Sequence, residues 1–278
     1  ALGWSLSGVI IKTVEMEALP IAFYRSAIAG IFLSLCSLRS ERFKPNHHSA
    51  YTAIAYALAV VLLVVATKET TAANAIILQY SAPAFVFLLA ILLLGERPER
   101  RDWWVLISTM LGVLCIFSQG TGDAIDGIIY GLLSGFGFAL LTVLLRLYKR
   151  RNPVQTMAFN NLLVAIVLLP WVWDSLMLTP KDAVLMMIMG VIQLGGPYVM
   201  YAFALRRVLA RDAALISLLE PLLNPVWVFL FVGEIPASMT FLGLGMPLLQ
   251  YLLHLELLRH VIKRKRNIEL WQLLEMVL

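Results

Sequence analysis

Charge is what this sequence has least of. Charged residues make up 14% of its 278 positions, against about 25% in soluble domains, and residues 76–94 (IILQYSAPAFVFLLAILLL) carry no charge. An apolar run of about 18 or more residues reads as a helix long enough to cross a bilayer. Hydrophobic residues reach 60%, above the roughly 45–50% of a soluble domain, which excludes an ordinary soluble enzyme. Cysteine is nearly missing. Cys36 and Cys115 both lie inside apolar runs, so neither is placed as a disulfide partner or metal ligand, and both read as free buried thiols. H-E-x-x-H, G-x-S-x-G and the Walker-type phosphate loop are absent, so a zinc hydrolase, a serine hydrolase and an ATPase all lack their signature residues. No metal and no cofactor is expected. The opening ALGWSLSGVIIK has no basic start and no small-residue cleavage site. It reads as the second half of a helix, not as a signal peptide.

What is present is a succession of ten apolar segments, at about 1–12, 21–38, 50–67, 73–94, 102–118, 127–147, 154–173, 183–204, 212–232 and 239–258. Most span a hydrocarbon core of about 30 Å at about 1.5 Å per residue. The connections are short and rich in turn residues, such as EALP, KPNHHS and QGTGDAIDG, and none is long enough for a soluble domain. After residue 258 come RHVIKRKRN and IELWQLLEMVL. That tail, 259–278, reads either as an amphipathic interfacial helix or as a disordered or engineered extension.

The basic residues assign an orientation, because loops rich in Lys and Arg stay in the cytoplasm. With a cytoplasmic N-terminus, the inner loops hold Arg39, Arg42, Lys44, Arg97, Arg100, Arg101, Arg146, Lys149, Arg150, Arg151, Arg206, Arg207 and Arg211, and the tail holds Arg259, Lys263, Arg264, Lys265 and Arg266. The outer loops hold Lys12, Lys68 and Lys181, and Arg25 alone lies inside a segment. Eighteen of the 22 basic residues thus fall on one side. The formal charge of +5 is accounted for by this bias, so a nucleic-acid partner is not expected. The expected place is the cytoplasmic inner membrane, with both termini in the cytoplasm.

The chain also repeats itself. A shift of 138 residues brings Ala72 onto Ala210, Ala75 onto Ala213, Pro83 onto Pro221, Gly95 onto Gly233, Glu96 onto Glu234 and Pro98 onto Pro236. The fourth segment therefore pairs with the ninth, and a G-E-x-P turn ends both. The first copy, GERPERR, is basic and the second, GEIPAS, is not. Two repeats of an odd number of crossings enter the membrane from opposite sides, as in many secondary transporters. The expected fold is an all-α integral membrane protein with ten transmembrane helices in two inverted five-helix repeats, 1–120 and 121–258.

The GERP and GEIP exits, the stretch ARDAALISLLEPLLNPVWVFLFVGEIP and the stretch PIAFYRSAIAG resemble the drug/metabolite transporter superfamily, and within it the EamA-type permeases. The resemblance covers nearly the whole chain to about residue 258 and is most specific over 206–236. It implies a ten-helix bundle around a central cavity, and movement of amino acids, other metabolites or toxic compounds, by export, exchange or uptake. Two features depart from the family: the start of the first segment is absent, which leaves one cavity wall incomplete, and the tail beyond 258 has no counterpart.

Glu220 is the sharpest candidate residue. It sits near mid-bilayer beside Pro221, where a carboxylate is costly and usually faces a cavity or a partner. It reads as a substrate or proton site, or as a protonated group bonded to a carbonyl that proline frees. Its repeat-mate is Ala82. Arg25, about one turn below the outer surface, either attracts a carboxylate-bearing substrate or snorkels outward to Glu15 or Glu17. Tyr24 lines the cavity or anchors an interface. Pro83, Pro221 and Pro225 free the carbonyls of Gln79, Ser217 and Pro221, so their helices bend as hinges or as static kinks, around a cavity that satisfies those groups. Gln79, Tyr80, Asn160, Asn161, Gln193, Tyr198, Tyr201 and Asn224 supply uncharged hydrogen-bonding groups, as packing glue or as a polar interior for a zwitterion. Trp4 and Trp227 stack on a substrate or pack. The glycines of GLLSGFGF and GVIQLGGP read as close-packing surfaces.

The function expected from these residues is secondary transport of small polar metabolites, amino acids or similar compounds and by analogy their export, through alternating access. Protons are the candidate coupling ion. The partners are a small-molecule substrate and the lipid bilayer; the oligomeric state is left open. The alternatives are a multidrug or toxic-cation exporter of the same fold, with a wider acidic and aromatic cavity, and an intramembrane lipid-modifying enzyme. The enzyme needs a nucleophile, a metal cluster or paired carboxylates at depth, and one deep carboxylate is present.

Overall fold

Helix ends are written locally in this chain. In the computed structural model, which describes residues 2–38, 43–96, 125–148, 152–208 and 219–234 with a few single positions at 103–114 and Ala213, polar caps stand where helices begin. Asn46 and Ser49 form a reciprocal capping box, which satisfies two donors that a helix start leaves bare. Thr71 accepts from Asn74 N at 3.1 Å, and Thr179 from Asp182 N at 3.1 Å. Asn152 accepts from Val154 N at 3.0 Å, with Pro153 in the first turn, where proline's missing N–H costs nothing.

The helices are α1 (Ser7–Thr13), entered by a 3-10 turn at Trp4–Leu6, α2 (Ala18–Cys36), α3 (His47–Glu69), α4 (Ala72–Gln79), α5 (Ala82–Leu89), α6 (Ile125–Leu147), α7 (Pro153–Val172), α8 (Pro180–Ile188), α9 (Gly196–Ala204) and α10 (Leu219–Val232). A π turn at Ala90–Leu94 extends α5, and another at Met189–Gly195 joins α8 to α9. No strand occurs among the described residues. Among the described residues, six continuous stretches are long and apolar enough to cross a membrane: Ala18–Cys36, His47–Glu69, Ala72–Leu94, Ile125–Leu147, Pro153–Ser175 and Pro180–Ala204. The expected segments at 102–118 and 239–258, the start of the ninth and the 259–278 tail lie outside the residues fully described.

Apolar side chains face both ways. Ile11, Ile21, Tyr56, Val64, Met157, Met186 and Met189 are buried in one core. Leu92 and Phe231 are 77% and 72% exposed, and Leu35, Ile166 and Trp171 also face outward. Such a surface is an aggregation fault in water and a requirement in hydrocarbon. The packing between helices is close. A Cβ on Gly137 of α6 would lie 2.6 Å from Ala59 N of α3, and one on Gly135 would lie 2.8 Å from Gln79 O, so these glycines let backbones meet.

Two spans are interrupted. The fourth segment, read from the sequence as one helix kinked at Pro83, is two helices that meet at Tyr80–Ser81, with Pro83 in the first turn of α5. Pro83 has no N–H for Gln79 O, and that carbonyl faces Gly135 instead. The eighth segment widens into the π turn at Met189–Gly195, before Gly196 and Pro197, a break that the sequence reading did not foresee. In contrast, α10 stays helical through Pro225, and Pro221 falls in its first turn. Cys36 corrects another expectation: at the end of α2 it is a free, exposed thiol, because this end of the helix, like the adjacent Leu35, faces away from the bundle. Both G-E-x-P turns end their helices on a left-handed glycine, Gly95 at φ 65° and Gly233 at φ 77°, a conformation in which a Cβ is strained.

Candidate functional site

The helix breaks deliver polar side chains to one buried place. The α4–α5 break presents Gln79 and Tyr80, and the π turn presents Gln193. With Trp4, Arg25 of α2, Val60 and Leu63 of α3, Phe138 of α6, Tyr198 of α9 and Glu220 of α10, they line a common cavity. Its free volume is about 20 Å³. That is space on the scale of water, so anything larger would fit here only if these helices parted.

Two opposite charges face this cavity. Glu220 is 5% exposed and accepts a hydrogen bond from Tyr80 Oη at 2.7 Å. Arg25 is 1% exposed. Its Nη2 donates to Val60 O, which Arg25 reaches from a different helix, while Nε and Nη1 have no hydrogen-bond partner. The guanidinium therefore neither snorkels outward nor pairs with Glu15 or Glu17, which are exposed. Arg25 and Glu220 also form no ion pair; the one between described residues joins Lys12 and Glu234 at 3.5 Å. Taking a charge out of water is expensive unless its hydrogen bonds are replaced. Two unmatched N–H groups on a buried cation thus define a place where an anionic oxygen fits.

The rest of the lining is aromatic and amide. Trp4 meets Tyr198, Tyr201 and Phe138 edge-on at 4.9, 5.2 and 5.9 Å between ring centroids, and its Nε1 has no acceptor. Gln193 Nε2 reaches Trp4 O at 3.5 Å and its Oε1 has no donor. Gln79 is committed elsewhere, since Nε2 donates to Ser134 Oγ at 2.8 Å and to Ala59 O at 3.2 Å. It borders the cavity while tying α3, α4 and α6 together.

The remaining candidates stand apart from this lining. Tyr24 Oη donates to Leu176 O at 2.7 Å, beyond the end of α7. Asn161 accepts from Tyr56 Oη at 2.8 Å and donates to Met157 O at 2.8 Å, so its amide joins α3 to α7. Asn160 Oδ1 accepts from Thr52 Oγ1 at 3.3 Å and its Nδ2 is unpartnered. Asn224 Nδ2 donates to Ser5 O at 2.8 Å, and Trp227 Nε1 to Ser5 Oγ at 3.1 Å, both fastening α10 to the start of the chain. Of the prolines, Pro83 shapes the cavity by breaking the fourth segment, while α10 runs unbroken past Pro225. Phe138, Ser134 and Tyr56 were not singled out from the sequence. Nothing distinguishes an apolar-looking Phe or a lone Ser in a membrane helix until its neighbours are known. Among the described residues no three His, Cys, Asp or Glu side chains gather as metal ligands would.

Known proteins share this arrangement of helices. A solved crystal structure aligns with a TM-score of 0.73 over 90% of this chain and 92% of its own, at 15% identity, which shows a shared fold. A protein of Bacillus subtilis (strain 168) named uncharacterized transporter YwfM is 28% identical over 263 residues, 90% of this chain and 88% of that one. The pseudopaline exporter CntI of Pseudomonas aeruginosa is 28% identical over 252 residues, 86% of this chain and 87% of that one. The description of the EamA-like transporter family matches residues 1–118 and 125–253. With membrane-length apolar helices, named transporters as relatives and nearly full coverage, the chain belongs to the EamA-like transporter family.

Proposed function

We propose that this chain is a secondary transporter that exports small polar metabolites, amino acids or similar compounds, across the cytoplasmic membrane by alternating access. The observation that carries this reading is the buried cavity in which Arg25, with two unpartnered N–H groups, and Glu220 stand without pairing to each other. A buried cation and anion kept apart are complementary to a zwitterion: its carboxylate meets Arg25 and its ammonium meets Glu220, with Trp4, Tyr80 and Tyr198 around its body. Gln79 serves as support for Tyr80, and Tyr24, Asn160, Asn161 and Asn224 hold the cavity walls. Protons are the coupling ion in this reading, with Glu220 the group that takes them up.

The architecture proposed is two inverted five-helix halves, 1–120 and 121–258, with 259–278 a basic cytoplasmic tail. Its support is the matched left-handed glycines of the two G-E-x-P turns, the border between the two family matches and the one-sided distribution of Lys and Arg. Pro83, Pro221 and Pro225 mark the places where helices flex between states. The relative named as an exporter favours the outward direction. Counterflow in proteoliposomes with a panel of labelled amino acids tests the reading. Saturable exchange of at least one zwitterion supports it, and exchange of lipophilic cations alone overturns it in favour of multidrug export.

A further inference from the structure

We infer that Glu234, the glutamate of the second G-E-x-P turn, is a positioning residue that holds the outer end of the cavity closed. The inference rests on the transporter reading above, and its geometry is a clasp. Glu234 Oε1 accepts from the backbone N of Ala72 at 2.9 Å, the first residue of α4. Its Oε2 lies 3.5 Å from Lys12 Nζ at the end of α1, and Lys12 Nζ donates to Thr70 O at 2.8 Å. Lys68 Nζ donates to Val14 O at 2.7 Å beside them. One carboxylate thus joins the end of α10 to α1 and to the start of α4.

The three elements it gathers are walls of the cavity: Trp4 precedes α1, Gln79 ends α4 and Glu220 begins α10. α4 and α10 are fastened a second time at depth, where Tyr80 bonds Glu220 at 2.7 Å. A carboxylate at a helix N-terminus satisfies a bare N–H and faces the positive end of the helix dipole. When it lets go, α4 loses the side-chain bond to α10 at this end, and the Tyr80–Glu220 bond at depth remains. A substrate that engages Glu220 competes with that inner bond, so the two fastenings make access at this end depend on occupancy of the cavity. Glu234 stands directly after the left-handed Gly233, and from there it reaches across to the start of the broken fourth segment.

The test uses the full chain in proteoliposomes, with Cys36→Ser and Cys115→Ser as background and Leu63→Cys as a reporter in the cavity wall. The probe is a membrane-impermeant maleimide added from one side at a time. Glu234→Ala and Lys12→Met are each expected to raise the labelling rate about tenfold from the side on which Lys12 lies, with no change from the other side. Lys12→Met leaves Ala72 capped, so it carries the test if Glu234→Ala does not fold. Unchanged labelling in a folded variant overturns the clasp, and so does an equal rise from both sides, which signals general loosening. A Lys12→Cys chain labelled from each side reports where this end lies, so an error in the assigned orientation shows itself apart from a failure of the clasp. A zwitterion that drives counterflow should raise the labelling of the parent reporter; absence of any such substrate would sink the zwitterion reading of the cavity and leave the labelling result interpretable.

Discussion

Replacing Arg25 with methionine separates a substrate group from a structural one. The change keeps an apolar stem of similar reach and removes the charge. In the folded protein the guanidinium holds one bond, to Val60 O, and leaves Nε and Nη1 unmatched at 1% exposure. An ion buried with so few partners carries a desolvation penalty of several kcal/mol. Its removal should therefore leave thermal stability unchanged or raise it. Binding should respond in the opposite sense. One hydrogen bond to a charged group is worth about 1.5–3 kcal/mol, and each 1.4 kcal/mol is about tenfold in affinity, so a carboxylate substrate should bind about 12- to 140-fold more weakly. The carboxamide analogue of the same substrate, which brings no charge to this position, should lose little. The assay is competition in counterflow, paired with a melting curve of the purified protein in detergent. Equal loss for the carboxylate and the carboxamide refutes the reasoning, as does a fall in melting temperature, because either result makes Arg25 a structural residue.

Three further outcomes follow from the same geometry. Glu220→Gln keeps the acceptor for Tyr80 at 2.7 Å but removes the counter-charge for an ammonium and cannot exchange a proton, so zwitterion flux in proteoliposomes should fall and what remains should lose its dependence on a pH gradient; an unaltered pH dependence removes Glu220 from coupling. Tyr80→Phe strands the buried carboxylate without that donor, at about 1–3 kcal/mol, and should lower the melting temperature less in the Glu220→Gln background than in the parent, as a double-mutant cycle would measure. Gly137→Ala places a Cβ 2.6 Å from Ala59 N, a backbone atom that cannot rotate away, so the α3–α6 seam must open. Gly95→Ala meets no atom within 4 Å and bears only the left-handed strain of about 1–2 kcal/mol. Thermal denaturation should rank Gly137→Ala as the more damaging of the two, and the reverse order would contradict the packing.

Much of the helix punctuation was readable in the chain. Asn46, Asn152, Thr179 and Pro153 announce helix starts by chemistry confined to a few residues, and Gly95 ends a helix for the same local reason. The break at Pro83 was legible as a kink, because a missing N–H is a property of one residue. Its depth was not, since a full interruption depends on Gly135 of α6 lying against the bared carbonyls. The π turn at Met189–Gly195 escaped notice for a similar reason: a wider turn has no composition of its own, and Gly190 and Gly195 matter through what packs on them. Arg25 was seen as a lone charge, but its bond to Val60 O in place of an outward reach was not legible, because that reach is set by how α2 leans on α3.

The sequence alone determined that this is a membrane protein, because the length of an apolar run decides what a bilayer accepts. It also singled out Glu220 and Arg25, since an ionisable group in an apolar run is conspicuous wherever it points. Only the tertiary structure decided which polar groups meet. Asn161, Asn224 and Gln79 look alike in sequence and all three bind neighbouring segments together, yet only Gln79 of the three also borders the cavity. Helices with apolar residues on every face, toward lipid and toward core alike, show no periodic stripe to mark the inward side. Which face turns inward is settled by the close packing of small residues between helices, and that is a property of the assembled bundle.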